Sequence, residues 1–266
     1  MKKYIEVRGQ TYAVAVTGNG PPLMSLHGFS GTKASLSRLH RELETNFTVI
    51  AVDLPGHGET NAPKVTSMDQ ACTDLAVIQE ALGFKKADWL GYSMGGRIAL
   101  SMAVHKPECV RRLILIGASP GLEGEIRNER QAADNDLADW IKCEGIDAFV
   151  AYWEELPLFQ SQKSRLDEGA FHAQRNERRS QTPRGLAQSL KTMGTGAMPP
   201  LWHRLEAVTH PVLLTAGEED EKFCAIQHKM AARLPRAAEV IVSGAGHAAH
   251  LEQPKALADE IQQFLL

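Results

Sequence analysis

The stretch Leu90-Gly91-Tyr92-Ser93-Met94-Gly95-Gly96-Arg97 constrains the fold more than any other part of the chain. It reads Gly-x-Ser-x-Gly between an apolar approach, Ala87-Asp88-Trp89-Leu90, and a helix-like run from Ile98 to Ala103. A strand, a sharp turn and a helix in that order lift a serine hydroxyl above the end of a sheet. There it meets helix N–H groups that favour negative charge. The turn leaves no room for side chains on its flanks, and Gly91, Gly95 and Gly96 meet that demand. Gly and Ser are common in turns, so the pentapeptide takes its meaning from what surrounds it.

What surrounds it alternates strands with helices. Residues 4–16 read as a hairpin around Gly9-Gln10, and strands follow at 23–26, 48–52, 113–116, 212–216 and 239–242. Helical periodicity covers 35–46, 68–82 and roughly 254–265. This pattern predicts an α/β fold: a mostly parallel sheet with helices on both faces. Between about 120 and 200 no β-branched strand run occurs, and charged helical patterns take over. We expect core residues 1–120 and 205–266, with 121–204 inserted as a helical cap.

With 266 residues and a net charge of −3, the chain can bury a full core and lacks the basic excess of a nucleic-acid or membrane-surface binder. Its four cysteines, Cys72, Cys109, Cys143 and Cys224, show no metal-ligand spacing and read as thiols of a reducing compartment. Met1-Lys2-Lys3-Tyr4-Ile5 starts no apolar signal core, and no run reaches the length of a spanning helix. A cytoplasmic protein acting on a small molecule is expected, with no nucleic-acid or membrane partner, as a monomer or weak homodimer.

A serine becomes reactive when an imidazole takes its proton and a carboxylate holds that imidazole. The strand at 212–216 leads into Gly217-Glu218-Glu219-Asp220-Glu221-Lys222-Phe223, and that at 239–242 into Gly244-Ala245-Gly246-His247-Ala248-Ala249-His250. The order Ser…Asp…His with each partner on a loop after a late strand selects Ser93, Asp220 and His247 as the catalytic set. Glu219 is the second choice for the acid, and His250 is the weaker histidine. An oxyanion needs two converging N–H donors. The backbone of Met94, after the serine, and of Phe29, in His27-Gly28-Phe29, are the candidates. His27 and His57 read as turn stabilisers.

Arg97 stands one turn after Ser93, where the helix dipole disfavours a cation, and so suggests an anionic substrate group. Arg127 and Arg130 share one face of a helix with Asp134. Arg175, Arg178 and Arg179 cluster further on. Glu123–Arg127 and Arg130–Asp134 are also favourable i,i+4 pairs, the reading in which these arginines are solvated. Arginines from both helices above Arg97 would instead build a polyanion site. Trp153 fits either the cavity wall or the core of the insertion.

Leu26-His27-Gly28-Phe29-Ser30-Gly31, Asp53-Leu54-Pro55-Gly56-His57-Gly58, the elbow, Ser119-Pro120-Gly121-Leu122, Trp153 to Gln162, Gly185 to Leu190, Gly194-Thr195-Gly196, Gly217 to Phe223 and Gly246 to Glu252 carry a closer likeness. Together they resemble the 2-succinyl-6-hydroxy-2,4-cyclohexadiene-1-carboxylate synthases, menaquinone-pathway lyases of the α/β-hydrolase superfamily. The likeness runs nearly end to end. It departs at Met198, where glutamine is expected, and in the doubled glutamates of the acid loop. It implies elimination of pyruvate from a polycarboxylate, without metal or organic cofactor, the triad serving as a base. It implies that Arg97, Arg127 or Arg130, and Arg178 hold carboxylates, with Tyr92 and Trp153 lining the pocket. The superfamily hosts many reactions. A carboxylesterase, thioesterase or C–C hydrolase is the alternative, and a non-enzymatic binding protein a third class.

Overall fold

Eight strands form one sheet: β1 (Lys2–Val7), β2 (Gln10–Thr17), β3 (Pro22–Leu26), β4 (Thr48–Val52), β5 (Ala87–Tyr92), β6 (Val110–Ile116), β7 (Val212–Gly217) and β8 (Ala237–Val242). The computed structural model describes the whole chain, Met1–Leu266. The strand order is β1-β2-β4-β3-β5-β6-β7-β8. Only β2 runs antiparallel to its neighbours, and every pairing from β4 to β8 is parallel.

The helices are α1 (Ser37–Leu43), α2 (Met68–Ala81), α3 (Met94–His105), α4 (Gly124–Glu154), α5 (Gln160–Arg165), α6 (Glu168–Arg179), α7 (Pro183–Met193), α8 (Glu221–Ala231), α9 (Ala249–Glu252) and α10 (Pro254–Leu265). None is long and apolar enough to cross a membrane. All four cysteines are free thiols.

Parallel strands are covered on both faces, so they read as continuous apolar runs. Every residue of β5 and β7 is buried, whereas the edge strands β1 and β8 are largely exposed. Alternate residues feed two cores. Met24, Ile50 and Trp89 pack with α2 and α3 on one face. Leu23, Val49 and Leu90 pack with α1 and α10 on the other. Truncating such a leucine to alanine costs about 2–5 kcal/mol.

Between β6 and β7 the chain forms α4 to α7 and no strand. Its own apolar cluster joins Ile141, Phe149 and Val150 of α4 to Leu186 and Leu190 of α7. Helix α4 bends at Gly145, whose backbone is non-helical at φ 84°, ψ −177°. Helix α1 is shorter than the periodicity over 35–46 predicts. Ser35 instead closes a turn, donating its N–H to the Thr32 carbonyl at 3.0 Å and accepting the Thr32 N–H on its hydroxyl at 2.8 Å.

Candidate active site

Ser93 sits between β5 and α3 at φ 51°, ψ −108°, a conformation that L-residues rarely adopt. Close packing holds it there. A Cβ on Gly91 would lie 2.3 Å from the Gly95 carbonyl oxygen, one on Gly95 2.3 Å from that of Leu26, and one on Gly96 2.5 Å from the Ala118 methyl. The helix N-terminus can approach the sheet only because these positions carry no side chain.

The structure brings Ser93, His247 and Asp220 together. The Ser93 hydroxyl donates to His247 Nε2 at 3.1 Å, and His247 Nδ1–H donates to Asp220 Oδ2 at 2.6 Å. Both partners are buried, on the loops after β8 and β7. Asp220 Oδ1 also accepts the Phe223 N–H at 3.3 Å, capping α8. The neighbouring acids turn elsewhere: Glu219 pairs with Arg165, and Glu218 accepts from Ser243 and the Gly244 N–H. His250 makes no hydrogen bond to Ser93 or to an acid, and its Nδ1 has no partner. Its ring lies 4.1 Å from that of Tyr92, and burial lowers its pKa to about 3.

Two backbone amides are candidates for holding an oxyanion. Met94 is the first residue of α3, so its N–H has no intrahelical acceptor. From Ser30 to Ser35 every backbone N–H has an acceptor within the protein, and the Phe29 N–H has none. Two buried histidines brace this loop. His27 donates through Nδ1 to the Gly28 carbonyl at 2.7 Å and accepts the Leu54 N–H at 3.0 Å. His57 donates to the Pro55 carbonyl at 3.1 Å and accepts the Ser30 N–H at 3.2 Å. Burial lowers their pKa values to about 4 and about 3, so both rings stay neutral acceptors at pH 7.

A cavity of about 440 Å³ opens above Ser93, between the sheet and the helices α4 to α7. Phe29, Tyr92, Trp153 and Phe159 wall it. Trp153 does both things the sequence allowed. It lines the cavity and packs edge-on against Phe29 and tilted against Phe149, with ring centres 5.2 and 5.3 Å away. Burial pushes the Tyr92 phenol well above its ordinary pKa, so it remains a neutral hydroxyl.

Arg97, Arg130 and Arg178 reach this cavity. Arg97 has no carboxylate within ion-pair distance; it donates to the Thr195 hydroxyl at 2.8 Å and the Met193 carbonyl at 3.0 Å. Its Nε–H has no acceptor at all, and burial lowers its pKa to about 10. Arg178 shares Glu154 with Arg175 and lies 5.4 Å from the centre of the Phe159 ring. Arg130 pairs with Asp134 at 2.7 Å. Arg127 is the correction. It does not line the cavity, because its guanidinium is spent on the carbonyls of Gly196, Ala197 and Met198 at 3.1–3.3 Å. The expected Glu123–Arg127 pair does not form. Arg179 also faces away, to Asp147.

Comparison with known proteins places these features in a family. The alpha/beta hydrolase fold family matches residues 21–254. A protein of Bacillus subtilis (strain 168), provisionally named as a 2-succinyl-6-hydroxy-2,4-cyclohexadiene-1-carboxylate synthase, is 45% identical over 97% of this chain and 95% of its own length. A protein of Serratia proteamaculans (strain 568) with the same name, unqualified, is 30% identical over 92% of this chain and 93% of its own. The solved structure of MenH from S. aureus superposes with a TM-score of 0.90 at 37% identity, covering 96% of this chain and 97% of that one. The chain belongs to the 2-succinyl-6-hydroxy-2,4-cyclohexadiene-1-carboxylate synthase family.

This member of the synthase family has cavity residues to which its sequence assigned no role. Gln174 and Glu177 line the cavity from α6, Thr195 from the turn after α7, and Lys222 from the first turn of α8, which Asp220 caps. Gln174 stands four residues before Arg178, a helical spacing that puts them on one face. Lys222 follows the acid by two residues. Thr195 and Lys222 fall inside stretches that carry the family likeness, and helical spacing alone could have flagged Gln174. No group of three or more His, Cys, Asp or Glu residues is arranged to hold a metal ion.

Proposed function

We propose that this chain eliminates pyruvate from 2-succinyl-5-enolpyruvyl-6-hydroxy-3-cyclohexene-1-carboxylate, giving 2-succinyl-6-hydroxy-2,4-cyclohexadiene-1-carboxylate. One observation carries the reading beyond family membership. Arg97 is a guanidinium beside Ser93 with only neutral partners. A charge taken out of water without a counter-ion is costly, and a substrate carboxylate in the cavity removes that cost. Arg130 and Arg178 serve further carboxylates from the roof, where planar guanidinium forks suit them.

The ring proton next to the succinyl ketone passes to the Ser93 oxygen as the serine proton moves to His247. Asp220 holds the imidazole in the required tautomer and balances its charge. Electrons from the broken C–H bond flow into the ketone, and the Phe29 and Met94 amides hold the resulting enolate oxygen. Collapse of the enolate shifts the ring double bond and expels the enolpyruvyl oxygen. The leaving enolate takes up a proton to become pyruvate, so substrate atoms and charge balance. The aromatic wall of Phe29, Trp153 and Phe159 keeps the site poor in water, which strengthens each of these interactions.

The test is pyruvate release by the purified chain given this substrate. Ser93→Ala lowers kcat by at least about 10³-fold. Release no faster than in buffer refutes the reading. An acyl-serine trapped with the native substrate would make Ser93 a nucleophile rather than a base.

A further inference from the structure

Glu177 is the one acid on the cavity side of α6, and its carboxylate faces away from the arginines' obvious needs. Its Oε1 accepts the Thr32 N–H at 3.0 Å, the Ser35 hydroxyl at 2.7 Å and the Thr32 hydroxyl. All three donors belong to the loop that presents the Phe29 amide. One turn on, Gln181 extends the contact. It accepts the Gly58 N–H at 3.0 Å and donates to the Gly31 carbonyl at 3.2 Å. At the other end of α6, Asp167 pairs with Arg38 of α1 at 2.9 Å. Helix α6 is thus fastened at both ends to the segment following β3, and Glu177 accepts the most hydrogen bonds in that seam.

The residue after Glu177 is Arg178, whose side chain enters the cavity. We infer that Glu177 is a positioning residue that fixes the distance between the carboxylate-holding Arg178 and the Phe29 oxyanion donor. The two groups come from residues far apart in the chain and from different structural layers. Without the clamp, each moves with its own layer. With it, a carboxylate seated on Arg178 and an enolate oxygen at Phe29 are held to one spacing, which matches the substrate's own. A misplacement of about 1 Å at such a site costs on the order of 100-fold in rate. Glu177 touches no reacting atom in this scheme. The inference rests on the lyase reading above for its kinetic consequence, and on the loop geometry alone for its structural one.

Two measurements on Glu177→Ala test it separately. Amide hydrogen exchange of residues 30–35 in the full-length protein accelerates, while that of α3 does not change. In the pyruvate-release assay kcat falls about 10- to 100-fold and KM rises by less, because alignment is lost more than binding. Glu177→Gln keeps an acceptor oxygen in place and retains kcat within about three-fold. It also serves where the alanine variant fails to fold. The clamp is overturned if residues 30–35 stay protected, if protection is lost with kcat unchanged, or if the glutamine variant is as impaired as the alanine one. If the wild-type chain releases no pyruvate, the lyase reading fails, and the exchange experiment still decides the clamp.

Discussion

The floor and the roof of the cavity treat charge in opposite ways. In the floor, the acid has its partner: Asp220 accepts the Nδ1–H of His247 at 2.6 Å. Toward the roof Arg130 has Asp134, but two other cavity arginines, Arg97 rising from α3 and Arg178 of α6, are under-compensated. Arg97 meets only a hydroxyl and a carbonyl, and Arg178 shares a single glutamate with Arg175. A floor whose polar groups are already hydrogen-bonded is ready before substrate arrives. An under-compensated roof is cationic and waits for anions. On the proposed reaction, the difference separates chemistry from recognition within one cavity.

Arg97→Met breaks this contrast most directly. It removes the unpaired cation while keeping much of the volume. We expect kcat/KM for the polycarboxylate to fall about 100-fold. Folding stability changes by no more than about 1 kcal/mol, because an uncompensated buried charge adds little to it. Steady-state kinetics and thermal melts read the two effects. A large loss of stability with activity retained would make Arg97 a structural residue.

Acid probes the floor. His27, His40, His57 and His250 have folded pKa values lowered by burial to about 4, 4, 3 and 3, below the ordinary histidine value near 6.5. The unfolded chain therefore binds more protons than the native one between pH 6.5 and these values. The stability they contribute is fully present above pH 6.5 and is lost as the pH falls through 4 toward 3. Tm should decline steadily across that interval, and a flat profile would contradict the neutral, hydrogen-bonded rings that brace the Phe29 loop.

The smallest effect is expected from Arg127→Ala. Losing its bonds to the 196–198 carbonyls should cost about 1–3 kcal/mol of stability and leave KM within about two-fold. A large rise in KM, with Arg130→Ala silent, would return Arg127 to the binding site.

The hydrogen-bonded floor was legible because joining a serine, a histidine and an acid demands particular residues at particular strand ends. Ser93, Asp220 and His247 announce themselves by turn composition, and glycines mark the only backbone that fits. The roof was legible only in part. Arg127 and Arg130 lie on one face at i, i+3, and nothing local separates them. What separates them is the turn at 196–198, which offers carbonyls to one and not to the other. Glu177 was invisible for the same reason, since its donors Thr32 and Ser35 lie more than 140 positions earlier. The bend at Gly145 was hidden too, because an isolated glycine in a helical pattern is usually tolerated without consequence.

The close approach of Gly95 to the Leu26 and His27 carbonyls has a consequence for how such a scaffold can change. It presses the start of α3 against the end of β3, so the Met94 and Phe29 amides belong to a single rigid piece. No side chain can be inserted at that seam to shift one amide relative to the other. A lineage or a designer seeking a new substrate on this architecture must rewrite the ceiling, where a single arginine can be gained, lost or re-aimed without disturbing the reaction centre beneath it.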